Sequence, residues 1–330
     1  MPAHTDQKPL LLTLEYPPDK GGVAAYLAGE EESSERGVRV VRAQELFWDK
    51  WPHWLPVLWF KKPDEHTVLW ISHILPMGYI ALWWKLYHKT PYRVYVHGLD
   101  LVNARRSSWK RFWASLILKS ADEVVANSWQ TAELLSSFGI APSHARINYP
   151  KIKQVDTARY KEPGMRLREE HNIGSGPLLL TISRLVPRKG INLVIRALPE
   201  VWKTVPSLRY VIVGDGEERK RLETMALSVL SEYYPGDKEG GKKILFAGAV
   251  EEDEKNAWLS ACDCFILTPI DDPNDFEGYG IVYKEAQMFG KPVIGSNVGG
   301  VPEAVGTNGD LVDSGNLDQI IKAILQNVSA

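Results

Sequence analysis

Short, unbroken apolar runs recur along this chain with helical stretches between them. Leu10–Leu14 is the first, and further strand candidates are Val38–Val41, Val68–Ile71, Arg93–Val96, Glu123–Ala126 and Arg146–Asn148. Runs this short that do not alternate with polar residues are buried on both faces, as strands of a parallel sheet are. Between them, Val23–Glu31, Trp109–Lys119 and Gln130–Ser137 have helical character. Such alternation predicts a parallel sheet covered by helices on both sides. The rhythm breaks at Tyr149–Pro177, a polar, proline-bearing connection with one short helix around Gly164–His171. It then restarts. Strands are predicted at Leu178–Ile182, Leu208–Val213, Lys243–Phe246, Cys264–Leu267 and Pro292–Ile294. Helices are predicted at Asn192–Lys203, Glu217–Tyr233, Glu252–Ala261, Gly280–Phe289 and Leu317–Gln326. The expectation is an α/β protein of two doubly wound, Rossmann-like domains, 1–155 and 156–330, facing a cleft. A length of 330 residues suits two cores of about 150 each. In such sheets ligands bind outside the carboxyl ends of the strands, so the cleft is the expected place for one.

Composition narrows the partners. The formal net charge of -2 supplies no basic field for nucleic acid. No apolar run reaches the roughly 18 residues of a transmembrane helix, and Met1–Lys8 is polar, without a signal-peptide core. Cys262 and Cys264, one residue apart, suit neither a disulfide framework nor a four-ligand zinc site. They read as small residues in and beside a buried strand, in a reducing cytoplasm.

Four loops at strand ends carry chemistry. Asp275-Phe276-Glu277-Gly278-Tyr279-Gly280-Ile281-Val282-Tyr283-Lys284-Glu285-Ala286 leaves a strand and opens a helix. Gly278 and Gly280 permit close backbone approach to a ligand, and the helix N-terminus offers free N–H groups to phosphate. Glu277 in the loop and Glu285 in the helix are spaced to address different hydroxyls of one elongated ligand; without a ligand they are a loop and a helix-face carboxylate. Ser183-Arg184-Leu185-Val186-Pro187-Arg188-Lys189-Gly190 is a cationic loop suited to a diphosphate, or else ordinary charged surface. Gly21-Gly22 admits a phosphate or makes a plain tight turn. His97 directly follows a strand, in His97-Gly98-Leu99-Asp100. Gly214-Asp215-Gly216 lacks the third glycine of a dinucleotide fingerprint and reads as a turn lining a nucleotide pocket. No Asp-x-Asp triplet occurs, and Asp271, Asp272 and Asp275 read as a solvated or substrate-facing loop, so no metal is expected.

These strings resemble the family-4 retaining glycosyltransferases of the GT-B fold. The likeness covers most of the chain and is strongest from Leu178 to Glu303. Ser183–Gly190 and Glu277–Tyr283 look especially like the mannosyltransferases acting on phosphatidylinositol mannosides, and Glu277 to Glu285 matches the family's E-x7-E motif. The resemblance implies roles. Arg184 and Lys189 bind the donor diphosphate. Glu277 holds the transferred hexose with the backbone N–H groups of Gly278, Tyr279 and Gly280, and Glu285 binds the ribose. Gly22 approaches the phosphate, His97 lies near the sugar's reacting face, and Val250 near the base. It implies front-face attack with retention, the leaving phosphate taking the acceptor proton, with no metal and no cofactor beyond the nucleotide-diphosphate sugar as co-substrate. The expected enzyme is a hexosyltransferase, mannose from GDP-mannose being the first guess, acting on a lipid-linked or glycan acceptor. A nucleotide-sugar epimerase of the same fold and a non-catalytic nucleotide-sugar-binding protein are the alternatives. Family members carry a C-terminal helix that crosses back to the N-terminal domain; it is not expected here, since the sequence stops soon after Leu317–Gln326.

Ten of the 12 tryptophans fall between Phe47 and Trp129, interleaved with lysine and arginine. Trp51, Trp54, Lys61 and Lys62 form one such group, Trp83-Trp84-Lys85 another, and Trp109, Lys110, Arg111 and Trp113 a third. Tryptophan favours the membrane interface and basic side chains favour anionic head groups. This predicts an N-terminal domain that binds acceptor on the cytoplasmic face of an anionic membrane as a peripheral protein; the alternative is that the aromatics fill a core or an acceptor pocket. For the donor, charge-assisted hydrogen bonds contribute roughly 1.5–3 kcal/mol each. Arg184→Ala or Lys189→Ala is therefore expected to lower kcat/KM on the order of tenfold or more, and wild-type rates in a folded Arg184→Ala protein would rule the assignment out.

Overall fold

The computed structural model describes residues 9–19, 21–34, 37–42, 68–234 and 243–328. Trp51, Trp54, Lys61 and Lys62 lie outside these residues. The chain divides into two compact units: Met1–Lys153 with Pro273–Tyr279, and Gln154–Asp272 with Gly280–Ala330. The segment bearing Glu277 thus groups with the first unit, although the sequence around it belongs to the second.

In the first unit, β1 (Pro9–Thr13), β2 (Arg39–Arg42), β3 (Val68–Ser72), β4 (Tyr92–Val96), β5 (Glu123–Ala126) and β6 (Ala145–Ile147) form a sheet of order β2-β1-β3-β4-β5-β6, every described pair parallel. In the second, β7 (Leu178–Ile182), β8 (Arg209–Val213), β9 (Ile244–Gly248), β10 (Cys264–Ile266), β11 (Val293–Ser296) and β12 (Asp310–Val312) form a parallel sheet of order β12-β11-β10-β7-β8-β9. Both are doubly wound, as the alternation predicts. β7 and β8 are buried almost throughout, which is why their sequences read as unbroken apolar runs. Cys262 and Cys264 are buried and free, and burial pushes the Cys262 thiol up to about 12, as structural core residues.

Some elements were not legible as a period. The Ile74–His88 helix is apolar nearly all round, with seven of its 15 residues buried, so it has no amphipathic signature. It absorbs Trp84, which is 2% exposed in the core, and not at a basic surface. Lys85 is tied inward, pairing with Asp122 at 2.9 Å and donating to the Ser120 carbonyl at 2.7 Å. The helix predicted at Gln130–Ser137 is instead one α-turn, Trp129–Glu133, capped by Ser128, followed by a 3-10 stretch, Leu134–Phe138. The short β12 and the Leu99–Arg105 and Val301–Val305 helices fall below the length at which a period registers.

Each sheet has a position where strand order reverses: between β1 and β3 in the first unit, and between β7 and β10 in the second. Chains leaving adjacent strands there diverge to opposite faces and open a crevice. In the second unit the loops on either side of it meet at Gly190, whose φ is +66°. A Cβ at Gly190 would lie 1.9 Å from the Thr268 carbonyl oxygen. Gly290 has a similar φ of +71° but nothing within 4 Å. Gly290→Ala is therefore expected to destabilise by about 1 kcal/mol from backbone strain alone, and Gly190→Ala by about 3 kcal/mol as the steric clash adds to it. Equal shifts in urea midpoint would show that the loop relaxes away from Thr268.

Candidate active site

In the second unit Arg184, Lys189 and Val250 stand beyond the carboxyl ends of β7 and β9, and Glu285 stands on the Ile281–Met288 helix. The Ser183–Gly190 loop leaves β7 and is held from three sides. Leu185 N–H donates to the Asp215 carbonyl at 2.9 Å, Ser183 N–H to Val213 at 3.0 Å, and Ile270 N–H to the Arg188 carbonyl at 2.8 Å. The loops after β7, β8 and β10 thus brace one another. Pro187–Lys189 form a single 3-10 turn in which Arg188 and Lys189 are buried, while Arg184 is exposed. The Arg184 guanidinium makes no ion pair among the described residues, leaving its planar fork for an anion. Val250 follows β9 and is half-buried.

The chain leaving β10 passes Thr268, folds with the first unit over Pro273–Tyr279, and enters the Ile281–Met288 helix through Gly280, φ +89°. Within the first unit the 273–279 segment is closely seated. Arg105 donates to the Pro273 carbonyl at 3.2 Å and Arg106 to that of Asn274. A Cβ on Gly98 would strike the Phe276 ring at 2.1 Å, and one on Gly278 would lie 2.5 Å from the His97 carbonyl and 2.8 Å from Asn127 Nδ2. Glu277, half-buried, immediately precedes the Gly278 backbone that is seated against the His97 carbonyl at the end of β4. Tyr279 is buried, its ring centroid 5.5 Å from that of Tyr149. Glu285 lies on the helix beyond, where Lys255 meets its Oε1 at 2.8 Å.

His97 sits at the end of β4, 8% exposed, with its Nε2 2.9 Å from Ser72 Oγ. Burial, with a smaller contribution from neighbouring His73, pushes its pKa down to about 3, so the ring is neutral. Its Nδ1 is buried and makes no hydrogen bond among the described residues. Whichever role Nε2 takes toward Ser72, Nδ1 keeps the opposite one for a ligand hydroxyl. Asp100 accepts from the His97 and Leu101 N–H groups at 3.1 and 3.0 Å, fixing the turn that presents the ring. Gly22, exposed, opens the Gly22–Glu32 helix with no atom within 4 Å of a Cβ.

The sequence reading missed Ser72, His73, Glu15 and Lys255. Ser72 and His73 close β3, and His73 Nε2 approaches Glu15 Oε1 to 3.8 Å at the reversal of strand order. Their signal was the one that marked His97: polar residues directly after an apolar run. Of the aromatic and basic residues, Trp109, Lys110 and Arg111 are exposed on the Ser108–Ser120 helix. Trp113 is turned inward, packing on the core with its ring 5.5 Å from Tyr79. Phe112 and Leu116, exposed at 60% and 39%, continue the outer face from Trp109. No helix among the described residues is long and apolar enough to cross a membrane, and none of their His, Cys, Asp and Glu groups could hold a metal.

A family model described as "Glycosyl transferases group 1" matches residues 165–329, and one described as "Glycosyltransferase Family 4" matches residues 16–152. The GDP-mannose-dependent alpha-(1-6)-phosphatidylinositol monomannoside mannosyltransferase of Mycolicibacterium smegmatis is 30% identical over 357 residues, covering 96% of this chain and 87% of that protein. The enzyme of the same description from Mycobacterium tuberculosis is 28% identical over 359 residues, covering 96% and 88%. Among solved structures, HepE from Anabaena in complex with UDP superposes with a TM-score of 0.73 at 20% identity, covering 98% of this chain and 92% of that one.

The neutral His97 makes stability depend on pH. Its folded pKa lies below the unfolded value near 6.5, so its contribution is present above that pH and is lost as pH falls toward 3. Asp100, whose pKa burial raises, acts in the opposite sense and is common to wild type and variant. Between pH 6.5 and 4, wild-type unfolding free energy is expected to fall more steeply than that of His97→Gln, by up to about 1.4 kcal/mol per pH unit. Parallel urea-midpoint profiles for the two proteins would refute it.

Proposed function

This chain belongs to the family-4 retaining glycosyltransferases of the GT-B fold, and from that premise we propose that it transfers mannose from GDP-mannose to a lipid-linked acceptor at an anionic membrane surface. The observation that carries the donor half is, in the second unit, the braced Arg184–Lys189 loop with Glu285 on the Ile281–Met288 helix; the first unit separately holds the Glu277 segment against the end of β4. Arg184 and Lys189 hold the diphosphate, with Gly22 approaching it and Val250 near the base. Glu277, with the N–H groups of Gly278, Tyr279 and Gly280, holds the hexose, and Glu285 the ribose. The choice of mannose and GDP rests on the full-length relatives.

The chemistry is set by where charge develops. As the anomeric bond lengthens, negative charge gathers on the departing diphosphate. Fixed cations and helix N–H groups stabilise it without reorganising, the largest contribution in most enzymes. Retention arises when the acceptor hydroxyl attacks the face the diphosphate is leaving and gives its proton to that phosphate. His97 Nδ1, neutral and buried, supplies a hydrogen bond to a sugar hydroxyl, and no net charge that would oppose a cationic transition state.

The acceptor half rests on the Ser108–Ser120 helix. Trp109, Phe112 and Leu116, at i, i+3 and i+7, share one exposed face, beside Lys110 and Arg111. Such a face suits a helix lying in the membrane interface, which supports our reading of a peripheral protein on the cytoplasmic side.

The test is a panel of GDP- and UDP-sugars with and without phosphatidylinositol-containing vesicles. Selective, lipid-dependent consumption of GDP-mannose is expected, abolished by Glu277→Ala. Tight donor binding without turnover on any acceptor would overturn the transferase reading. In flotation with the same vesicles, Trp109→Ser with Phe112→Ser is expected to release the protein; undiminished flotation would remove this helix from the membrane contact.

A further inference from the structure

The second unit holds a half-buried ion pair that the donor-binding roles leave unexplained. Lys255, on the Glu252–Ala261 helix, places Nζ 2.8 Å from Glu285 Oε1 and 2.9 Å from Glu252 Oε1. Lys255 and Glu285 are 17% and 20% exposed, whereas Glu252 is 63% exposed. Sequestering an ammonium at such a position costs free energy that a solvated surface lysine does not incur. Burial lowers the Lys255 pKa, but Glu285 and then Glu252 outweigh it, so the group stays charged.

The valences of the pair are not exhausted. An ammonium carries three donors, and among the described residues Lys255 Nζ directs two of them, one to each glutamate. Glu285 Oε1 is taken, and Oε2 accepts no hydrogen bond among the described residues. Side by side the pair presents one unspent N–H donor and one unspent carboxylate acceptor. A hydroxyl group both donates and accepts, so a vicinal diol meets this pair with both functions satisfied. A carboxylate alone offers only acceptors and is free to rotate. The ion pair fixes its plane.

We infer that Lys255 is a specificity-determining partner of Glu285: it locks the carboxylate and donates to the nucleotide's ribose, so that the two together select a ribonucleotide donor by its vicinal hydroxyls. This rests on the assignment of Glu285 to the ribose and extends it to a residue on another helix. Nothing is transferred or protonated in the step; the pair acts in the ground state and the transition state alike. Such uniform binding alters KM and leaves kcat unchanged.

Calorimetry of GDP against 2′-deoxy-GDP and 3′-deoxy-GDP, repeated in the UDP series, tests it on the full chain without any knowledge of the acceptor. For wild type, loss of one ribose hydroxyl is expected to weaken binding on the order of tenfold. In Lys255→Met that preference shrinks below about threefold, and Lys255→Arg restores part of it. The ratio of two Kd values on one preparation does not depend on the fraction folded, so a destabilised variant still reports. In turnover, Lys255→Met raises donor KM with kcat little changed. Full ribose preference in Lys255→Met, with the preference lost in Glu285→Gln, would overturn this inference and leave the ribose role of Glu285 standing. Full preference in both variants would overturn the role of Glu285 itself.

Discussion

The strand order of the second sheet sets where each loop at its carboxyl edge stands. Because β7 lies between β8 and β10, the first strand of the unit sits at its centre, and the chains leaving β7 and β10 part at the reversal of winding. The parallel ladder aligns all carboxyl ends along one edge, and at the reversal the loops part, the place where ligands bind in such sheets. The loops there meet at Gly190 and Thr268 and again through the Ile270 N–H to Arg188 carbonyl bond. The backbone of the cationic turn is thus tied to the loops of the neighbouring strands.

A second constraint is the handling of polar groups at these strand ends. His97 is kept neutral by burial, Asp100 is spent on a turn, and Lys255 is sequestered beside two carboxylates. Each resolves the cost of removing a polar group from water in a different way. Among the groups left unspent in the described residues are His97 Nδ1, Glu285 Oε2 and one Lys255 donor, with the Arg184 fork exposed. All are suited to hydroxyls or phosphate oxygens, the groups a nucleotide sugar carries. The roles we propose, a cationic loop for phosphate and a neutral ring for the sugar, match the demands of a reaction whose charge leaves with the diphosphate.

Much of the fold and part of the site are legible in the residues alone. β7, β8 and β10 announce themselves because both faces are buried, His97 because it comes directly after such a run, and the Glu277–Glu285 string because its glycines and spaced carboxylates open a helix. The Ile74–His88 helix does not, since a helix surrounded by protein loses its polar stripe, and its tryptophans read as surface chemistry. Trp113 misleads for a related reason: on the Ser108–Ser120 helix it lies four residues from Trp109, yet it turns to the core while Trp109, Phe112 and Leu116 face outward. Composition registers that aromatics are present, and only helical phase tells which of them are covered.

The sequence by itself determined the alternation, the two-domain plan and the residue types at each strand end, because local burial and loop chemistry are written in neighbouring residues. Tertiary structure alone decided that Pro273–Tyr279 folds with the first unit, that Ser72 meets His97 and that Lys255 meets Glu285. These partners lie 25 and 30 positions apart, on elements whose adjacency is fixed by strand order and helix packing. No local pattern encodes such a meeting, since the free energy that brings it about is spread over the whole core and not over the two residues that touch.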